Sequence, residues 1–226
     1  MSKNLIIKNR RLVNVLLRTI GNTFIILAVF FLVMGFWPYL ESEFSYTWNQ
    51  LIGQTYVVRG DKADSTSSPL GAIVNAPPPI SIVPECTDFG VIIPKLNVNT
   101  AVVQDVNAAN EKEYFSALEK GAAHAKGTVF PGQDGNSFIF AHSTLNFWEV
   151  SRYKAVFTLL RKLEPGDRIV TFYQGQRYDY RVKEKKIVEA SDITDLTPTA
   201  VGKRLTLQTC DPPGTTLKRL IVIAEA

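Results

Sequence analysis

The sequence predicts a mainly-β protein: a closed or nearly closed β-barrel of about seven to eight short strands with short helices, preceded by a single N-terminal transmembrane helix. Three observations carry this. From Phe89 to the end, short runs rich in Val, Ile, Leu, Thr and aromatic residues alternate with Gly-, Pro- and Asp-containing breaks, with only minor helical pattern between them. RIVTFY, a Gln174-Gly175-Gln176 turn and RYDYRVKEKKIVE read as a hairpin. Thr19 to Leu40 is a run of 22 residues without a charge. The 226 residues, 46% hydrophobic and 11% aromatic, can fill a core and are not a disordered chain. A mean hydropathy of +0.03 excludes a polytopic membrane protein. Two Cys exclude a disulfide-dense scaffold or a four-cysteine zinc site, and two His are few for a metal enzyme.

The chain begins with a basic tail. Residues 1–18 hold Lys3, Lys8, Arg10, Arg11 and Arg18 and no acid, which leaves 20 basic and 21 acidic residues beyond them. The overall +4 is thus a property of the tail, and no basic cluster marks the folded part as a nucleic-acid face. Residues 19–40, as helix, span about 33 Å, close to the hydrocarbon thickness of a bilayer. Trp37 and Tyr39 suit the headgroup level, and Pro38 stands where the helix can stop. Basic residues before the run and Glu41 and Glu43 after it orient the N-terminus toward the cytoplasm. A cleaved signal peptide has a shorter apolar run and a small-residue cleavage site, which Gly-Phe-Trp-Pro-Tyr lacks. The expectation is an uncleaved single-pass anchor in the cell membrane, in contact with lipid through residues 19–40, with the rest of the chain extracellular.

Residues 41–60 read as a short juxtamembrane helix. From Asp61 to Asp88 five of the 12 prolines stand among small polar residues, the composition of an extended spacer. Residues 41–86 together are therefore read as juxtamembrane segment and linker, and 87–226 as the folded domain. Within that domain FGVII and TAVV are strands, and NEKEYFSALEKG is a short amphipathic helix stopped by Gly121. SFIFAH is a strand running into a loop. YKAVFTLLRKL is a helix, or an irregular turn plus helix. KRLTLQTC and KRLIVIAEA are the last two strands, separated by DPPGTT.

Three reactive side chains of different type fall at strand ends. Cys210 closes TLQTC, His142 closes SFIFAH, and Arg219 opens the final apolar strand nine residues past Cys210. Thiol attack on a carbonyl needs a thiolate, a proton donor for the leaving amine and positive charge near the developing oxyanion, tasks suited to Cys, His and Arg. Taken singly, each residue has a plainer reading. A lone Cys is commonly a small buried hydrophobe, a strand-end His a satisfied side chain, and an Arg before an apolar strand a surface charge.

TLQTC with an Arg nine residues on resembles the signature of the sortases, membrane-anchored cysteine transpeptidases. FGVIIPKLNVNTAVV is similar to that family's opening strand pair, and EKGAAHAKGTVFPGQDGNSFIFAHS to its Gly-rich segment leading to the catalytic His. The anchor and spacer fit the family's layout. The resemblance implies a sortase-like barrel with Cys210 as nucleophile, His142 as general acid and then base, and Arg219 as oxyanion or substrate-backbone donor. It implies cleavage of an LPXTG-like sorting signal on secreted proteins through a Cys thioester. The acyl group would then pass to an amine, a peptidoglycan precursor or a pilin lysine. It implies no metal and no cofactor; calcium, which some members bind through acidic loop residues, stays open, since Asp192 and Asp195 show no diagnostic spacing. Substrate-binding residues stay unassigned, although Ala190–Gly202 corresponds to the family's specificity loop.

The sequence also departs from the pattern. Ala141 stands where Gly commonly precedes the catalytic His, and Asp211 places an acid beside the thiol, which tends to raise a thiol's pKa. No aspartate-proline-aromatic lid motif is visible in residues 61–88. His124 is expected to be structural, and Cys86 free or in an intermolecular pair. Phe147 and Trp148 are packing or cleft aromatics. Two other readings fit the same elements: a membrane-tethered, non-catalytic β-barrel serving as a binding or assembly module, and a cysteine peptidase that ends in hydrolysis.

Overall fold

The computed structural model describes residues 2–59, 77–143 and 156–226. The chain divides into two compact units, Met1–Leu40 and Glu41–Ala226. The described residues of the first, from Ser2 on, are helical. They belong to a helix, α1, that runs Ser2–Leu51 and does not stop at Pro38. Proline inside a helix removes one hydrogen bond and its ring crowds the carbonyl four residues back, a cost of about 3 kcal/mol. The turns after it are held by the contacts that residues 43–49 make within their own unit. Val13–Gly35, 23 residues of mean hydropathy 2.1 with no side chain buried, is a candidate membrane span. Its length as helix is about 35 Å.

In the second unit, Tyr46 packs against the main core, Glu43 pairs with Lys162 at 3.0 Å and Asn49 Nδ2 donates to the Tyr56 hydroxyl at 2.8 Å. Two short strands follow, β1 (Tyr56–Val58) and β2 (Ile80–Ile82), paired parallel. Val58 and Ile82 are buried against Ile92, Val170 and Phe172. The end of the proline-rich stretch thus lies along the folded unit, where Asn99 also accepts from Glu85 N and donates to Val83 O.

Eight strands close the barrel: β3 (Phe89–Ile93), β4 (Val98–Val106), β5 (Ala122–Ala125), β6 (Gly135–Phe140), β7 (Arg168–Tyr173), β8 (Gln176–Glu189), β9 (Lys203–Asp211) and β10 (Lys218–Glu225). The order around the barrel is β10-β8-β7-β3-β4-β5-β6-β9. Most neighbours are antiparallel, but β4–β5 and β6–β9 are parallel. All five residues of β3 are buried, which is why FGVII is a continuous apolar run: Phe89, Val91 and Ile93 face the barrel interior, and Ile92 faces the cover formed by β1 and β2. At the β7–β8 turn Gln174 and Gly175 both have positive φ, the conformation a two-residue hairpin requires.

β5 was not evident in the sequence. Ala-Ala-His-Ala carries little intrinsic strand preference, and its pairing depends on Gly121. There φ is +151°, and a Cβ would stand 2.5 Å from Thr100 Oγ1 and 2.7 Å from the Ala101 carbonyl oxygen. The expected helix after β4 is α2 (Glu111–Leu118), capped by Asn110 Oδ1, which accepts from Glu113 N. The expected helix near residue 160 is a 3-10 turn, Leu160–Lys162, with Phe157, Leu160 and Leu163 fully buried around it.

The period of two along each strand sorts the barrel into two faces. Leu205, Leu207, Leu220, Val222 and Ala224 point into the interior core. Phe138, Phe140, Ala123, Ala125, Ile221 and Ile223 point outward into a second core roofed by Ala117 and Leu118 of α2.

Candidate active site

The outward face of β6, β9 and β10 carries the reactive residues. On β9, Gln208 and Cys210 share one face, and in the β9–β10 ladder Cys210 stands directly opposite Arg219. Directly paired residues of antiparallel strands project on the same side, with Cβ atoms about 4.5–5.5 Å apart. Thiol and guanidinium therefore leave the sheet together. Arg219 is steadied from below, its Nη1 donating to the carbonyls of Thr216 at 3.1 Å and Lys218 at 3.0 Å.

His142 is two residues past β6, in the same alternation as Phe138 and Phe140, and so on the same outward face. Phe140 pairs with Gln208 in the parallel β6–β9 ladder, and that register carried two residues on sets His142 level with Cys210. The backbone is pinned there. Ala141 N donates to Gln208 O at 3.1 Å, Thr209 Oγ1 donates to Ala141 O at 2.8 Å and Phe157 N donates to His142 O at 3.1 Å.

All three side chains line one cleft of about 680 Å³. Tyr114 and Phe115 of α2 form one wall; Asp192, Ile193 and Leu196 of the loop between β8 and β9 form another. The Tyr114 ring stacks on Phe140 at 5.3 Å and meets His142 edge-on at 6.3 Å, and Phe115 lies 6.4 Å from His142 on a nearly parallel plane. Burial pushes the Tyr114 hydroxyl up to about 12, the neighbouring Cys210 adding to the shift and Arg219 opposing it. The phenol thus stays protonated in the cleft that it shares with Cys210. Tyr114 is not marked as a site residue by its sequence context. Its signal was the spacing Tyr114, Ala117, Leu118, which puts it on the inward face of the amphipathic helix.

Asp211 corrects one expectation. It alternates with Cys210, is turned away from the cleft, is buried and is hydrogen-bonded to the Arg161 guanidinium. Its carboxylate is paired with a cation away from the cleft.

His124 is also turned inward. It is wholly buried, with Nε2 2.9 Å from Thr128 Oγ1 and 3.1 Å from Val129 O, and its ring stacks on Phe130 at 4.7 Å. Burial holds its pKa below 6.5, against smaller upward pulls from the Val129 carbonyl and from Asp105, 3.7 Å away. Below pH 6.5 the unfolded chain takes up a proton that the folded one refuses, so the stability tied to this group is complete above pH 6.5 and drains away as pH falls. His124→Gln should flatten that acid limb in urea midpoints measured against pH; an unchanged limb would assign it to other groups.

Cys86 is a free, half-buried thiol outside the cleft. Phe147 and Trp148 lie outside the described residues. Among the described residues no group of three or more His, Cys, Asp and Glu side chains is gathered for a metal ion. Asp195 pairs with Lys186 at 3.0 Å, and Asp192 Oδ1 accepts from Thr194 N. A further cavity of about 450 Å³, lined by Tyr46, Asn49, Tyr56, Lys95 and Leu159 among others, holds neither Cys nor His.

A closed barrel that gathers thiol, imidazole and guanidinium on one outward face has the side chains that thiol attack on an amide requires. The model of the sortase domain matches residues 91–226, and this chain belongs to the sortase family. It is 27% identical over 136 residues to sortase D of Bacillus subtilis strain 168, covering 59% of this chain and 60% of that protein. It is 27% identical over 135 residues to sortase A of Listeria monocytogenes, covering 60% of this chain and 54% of that protein. The match thus spans little more than half the length of these relatives. Among solved structures, a lid mutant of sortase A from Corynebacterium diphtheriae is 26% identical with a TM-score of 0.51, covering 62% of this chain and 69% of that one. Sortase C of Clostridium perfringens, solved with the C-terminal cell wall sorting motif, is 25% identical with a TM-score of 0.50, covering 60% and 68%. Sortase C1 of the GBS pilus island 1 is 27% identical with a TM-score of 0.51, covering 61% and 62%.

Proposed function

We propose that this chain is a membrane-anchored cysteine transpeptidase that cleaves an LPXTG-like sorting signal near the C-terminus of secreted proteins. Residues 87–226 form the catalytic domain, and residues 19–40 hold it to the outer face of the cell membrane with the N-terminus in the cytoplasm. The observation that carries the reading is the facing pair Cys210–Arg219 on β9 and β10, with His142 brought into the same cleft by the parallel β6–β9 ladder. Membership of the sortase family supports the reaction class, and the sorting motif in the Clostridium perfringens structure supports the substrate class.

The Cys210 thiolate adds to the threonine carbonyl carbon of the signal. The carbonyl oxygen takes the negative charge, and the Arg219 guanidinium faces it. Collapse of the adduct breaks the C–N bond; the amine leaves with the proton supplied by the His142 imidazolium, and the acyl group remains as a thioester. An incoming amine loses its proton to the now neutral His142 and attacks the thioester, expelling the Cys210 thiolate and forming a new amide. The thioester conserves the acyl energy, so neither step consumes a nucleotide. A peptidoglycan-precursor amine or a pilin lysine is the acceptor; the relative from a pilus island supports the second of these.

The test uses the full chain in detergent micelles with a library of sorting peptides and a set of amines, read by mass spectrometry. An acyl adduct on Cys210 and an amine-dependent ligated product are expected. Hydrolysed peptide regardless of amine would mean a peptidase. No adduct, together with a Cys210 that resists alkylation at neutral pH, would leave a non-catalytic binding module.

A further inference from the structure

The loop wall of the cleft has no helix or strand of its own. Between Glu189, the end of β8, and Lys203, the start of β9, the chain makes only turns and bends. Yet it contributes Ala190, Asp192, Ile193, Asp195 and Leu196 to the cleft, with Ile193 73% exposed at its lip. A stretch of that length, left to itself, samples many conformations.

Besides the ion pair of Asp195 with Lys186 of β8, two consecutive residues at the start of β6 hold it. Asn136 is buried to 1% exposure, and its Nδ2 donates to the carbonyls of Asp195 at 2.9 Å and Thr197 at 3.0 Å. The backbone amide of Asn136 donates to Pro198 O at 2.9 Å, and that of Gly135 to Gly202 O at 2.8 Å. The carboxamide itself is oriented from β9, where Thr206 Oγ1 donates to Asn136 Oδ1 at 2.7 Å. Both amide hydrogens and the amide oxygen are thereby used. Gly135 makes the approach possible: φ is +124°, and a Cβ there would stand 2.6 Å from Pro198 O.

The placement couples this anchor to the reactive residues. Asn136 and His142 share the outward face of β6, and Thr206 and Cys210 share that of β9, four residues apart. We propose that Asn136, oriented by Thr206, is a positioning residue that holds the 190–202 loop as the binding wall for the sorting peptide, setting KM rather than the chemical step. The inference rests on the transpeptidase reading only for its kinetic consequence; the anchoring is a property of the fold.

Both parts are testable on the full chain in detergent. Asn136→Asp keeps an acceptor for Thr206 and loses both donors to the loop; Thr206→Val removes only the bond that orients the amide; Thr206→Ser preserves it. Asn136→Asp should raise KM for the sorting peptide about tenfold or more, with kcat and the rate of Cys210 alkylation by iodoacetamide within about twofold of the parent. Thr206→Val should shift KM in the same direction and Thr206→Ser should restore it. Hydrogen exchange gives a second readout that needs no activity: amides of residues 191–202 should exchange faster in Asn136→Asp and Thr206→Val, with β9 unchanged. Unaltered loop exchange in both variants, or a fall in kcat and alkylation at constant KM, would overturn the proposal. A parent chain that forms no acyl adduct would end the transpeptidase reading alone, leaving the exchange experiment to decide the anchoring. If Asn136→Asp does not fold, Thr206→Val carries the decision by itself.

Discussion

Cys210→Ala should lower transfer from a sorting peptide to an amine by about 10⁴-fold or more, to a rate indistinguishable from the peptide alone. The methyl group cannot form the thioester, and no other thiol lines the cleft, since Cys86 lies outside it. The substitution should cost little else. Cys210 is only half-buried near a strand end, and its main-chain pairing with β10 does not involve the sulfur. A peptide should bind the variant about as tightly as the parent, which separates loss of chemistry from loss of fold. The double variant Cys210→Ala, His142→Ala should be no slower than Cys210→Ala, because groups that act as a unit are not additive. Retention of a tenth or more of the parent's transfer rate by purified Cys210→Ala would end the nucleophile assignment.

The parts of this molecule that the sequence disclosed are those whose physics is local. β3, β6, β7, β9 and β10 carry apolar or β-branched runs bounded by turn residues, and β8 is the alternating second arm of a hairpin; each stands where its pattern sets it. The turn before β8 is readable because Gly175 accepts positive φ. β5 is different: alanines become a strand only because β4 and β6 supply partners on either side and Gly121 lets the chain come close to β4. Helix α1 passes Pro38 because its later turns are held by Tyr46, Glu43 and Asn49. The stretch from residue 77 to 86 has a spacer's composition, and Ile82 and Asn99 fasten it to the barrel all the same.

The site follows the same division. Residue type and strand-end position were enough to single out Cys210, His142 and Arg219, but convergence was not local information. It depends on β6 and β9 being parallel neighbours although more than sixty residues separate them, a register that brings Phe140 beside Gln208. Tyr114 and Asn136 were missed for a related reason. Tyr114 looks like one more aromatic on an amphipathic helix until Phe140 and His142 are seen against it. Asn136 looks like a turn residue until the loop carbonyls it serves are known. Asp211 shows the converse. Adjacent in sequence to the thiol, it is carried by strand alternation to the opposite face, where Arg161 meets it.

Arg219→Lys tests how much of the proposed reaction depends on geometry rather than charge. The positive charge is kept, so a purely electrostatic role would survive the change with modest loss. A guanidinium, however, is a planar fork of five donors. Here Nη1 is committed to the carbonyls of Thr216 and Lys218, which restrains the group on the residue paired with Cys210. A lysine ammonium has three donors on a flexible stem, and in this position the same carbonyls would compete for them. The expectation is a loss in kcat/KM of about 10²–10³-fold, the scale found when an oxyanion donor is removed. Most of that loss should lie in kcat if the contact forms chiefly in the transition state. Alkylation of Cys210 by a small neutral reagent should change far less, since that reaction builds no oxyanion. A variant that keeps full kcat while alkylation slows would place Arg219 in thiol activation; one that alters only KM would place it in ground-state binding of the peptide. Either result would remove it from the oxyanion role while leaving Cys210 and His142 where they are.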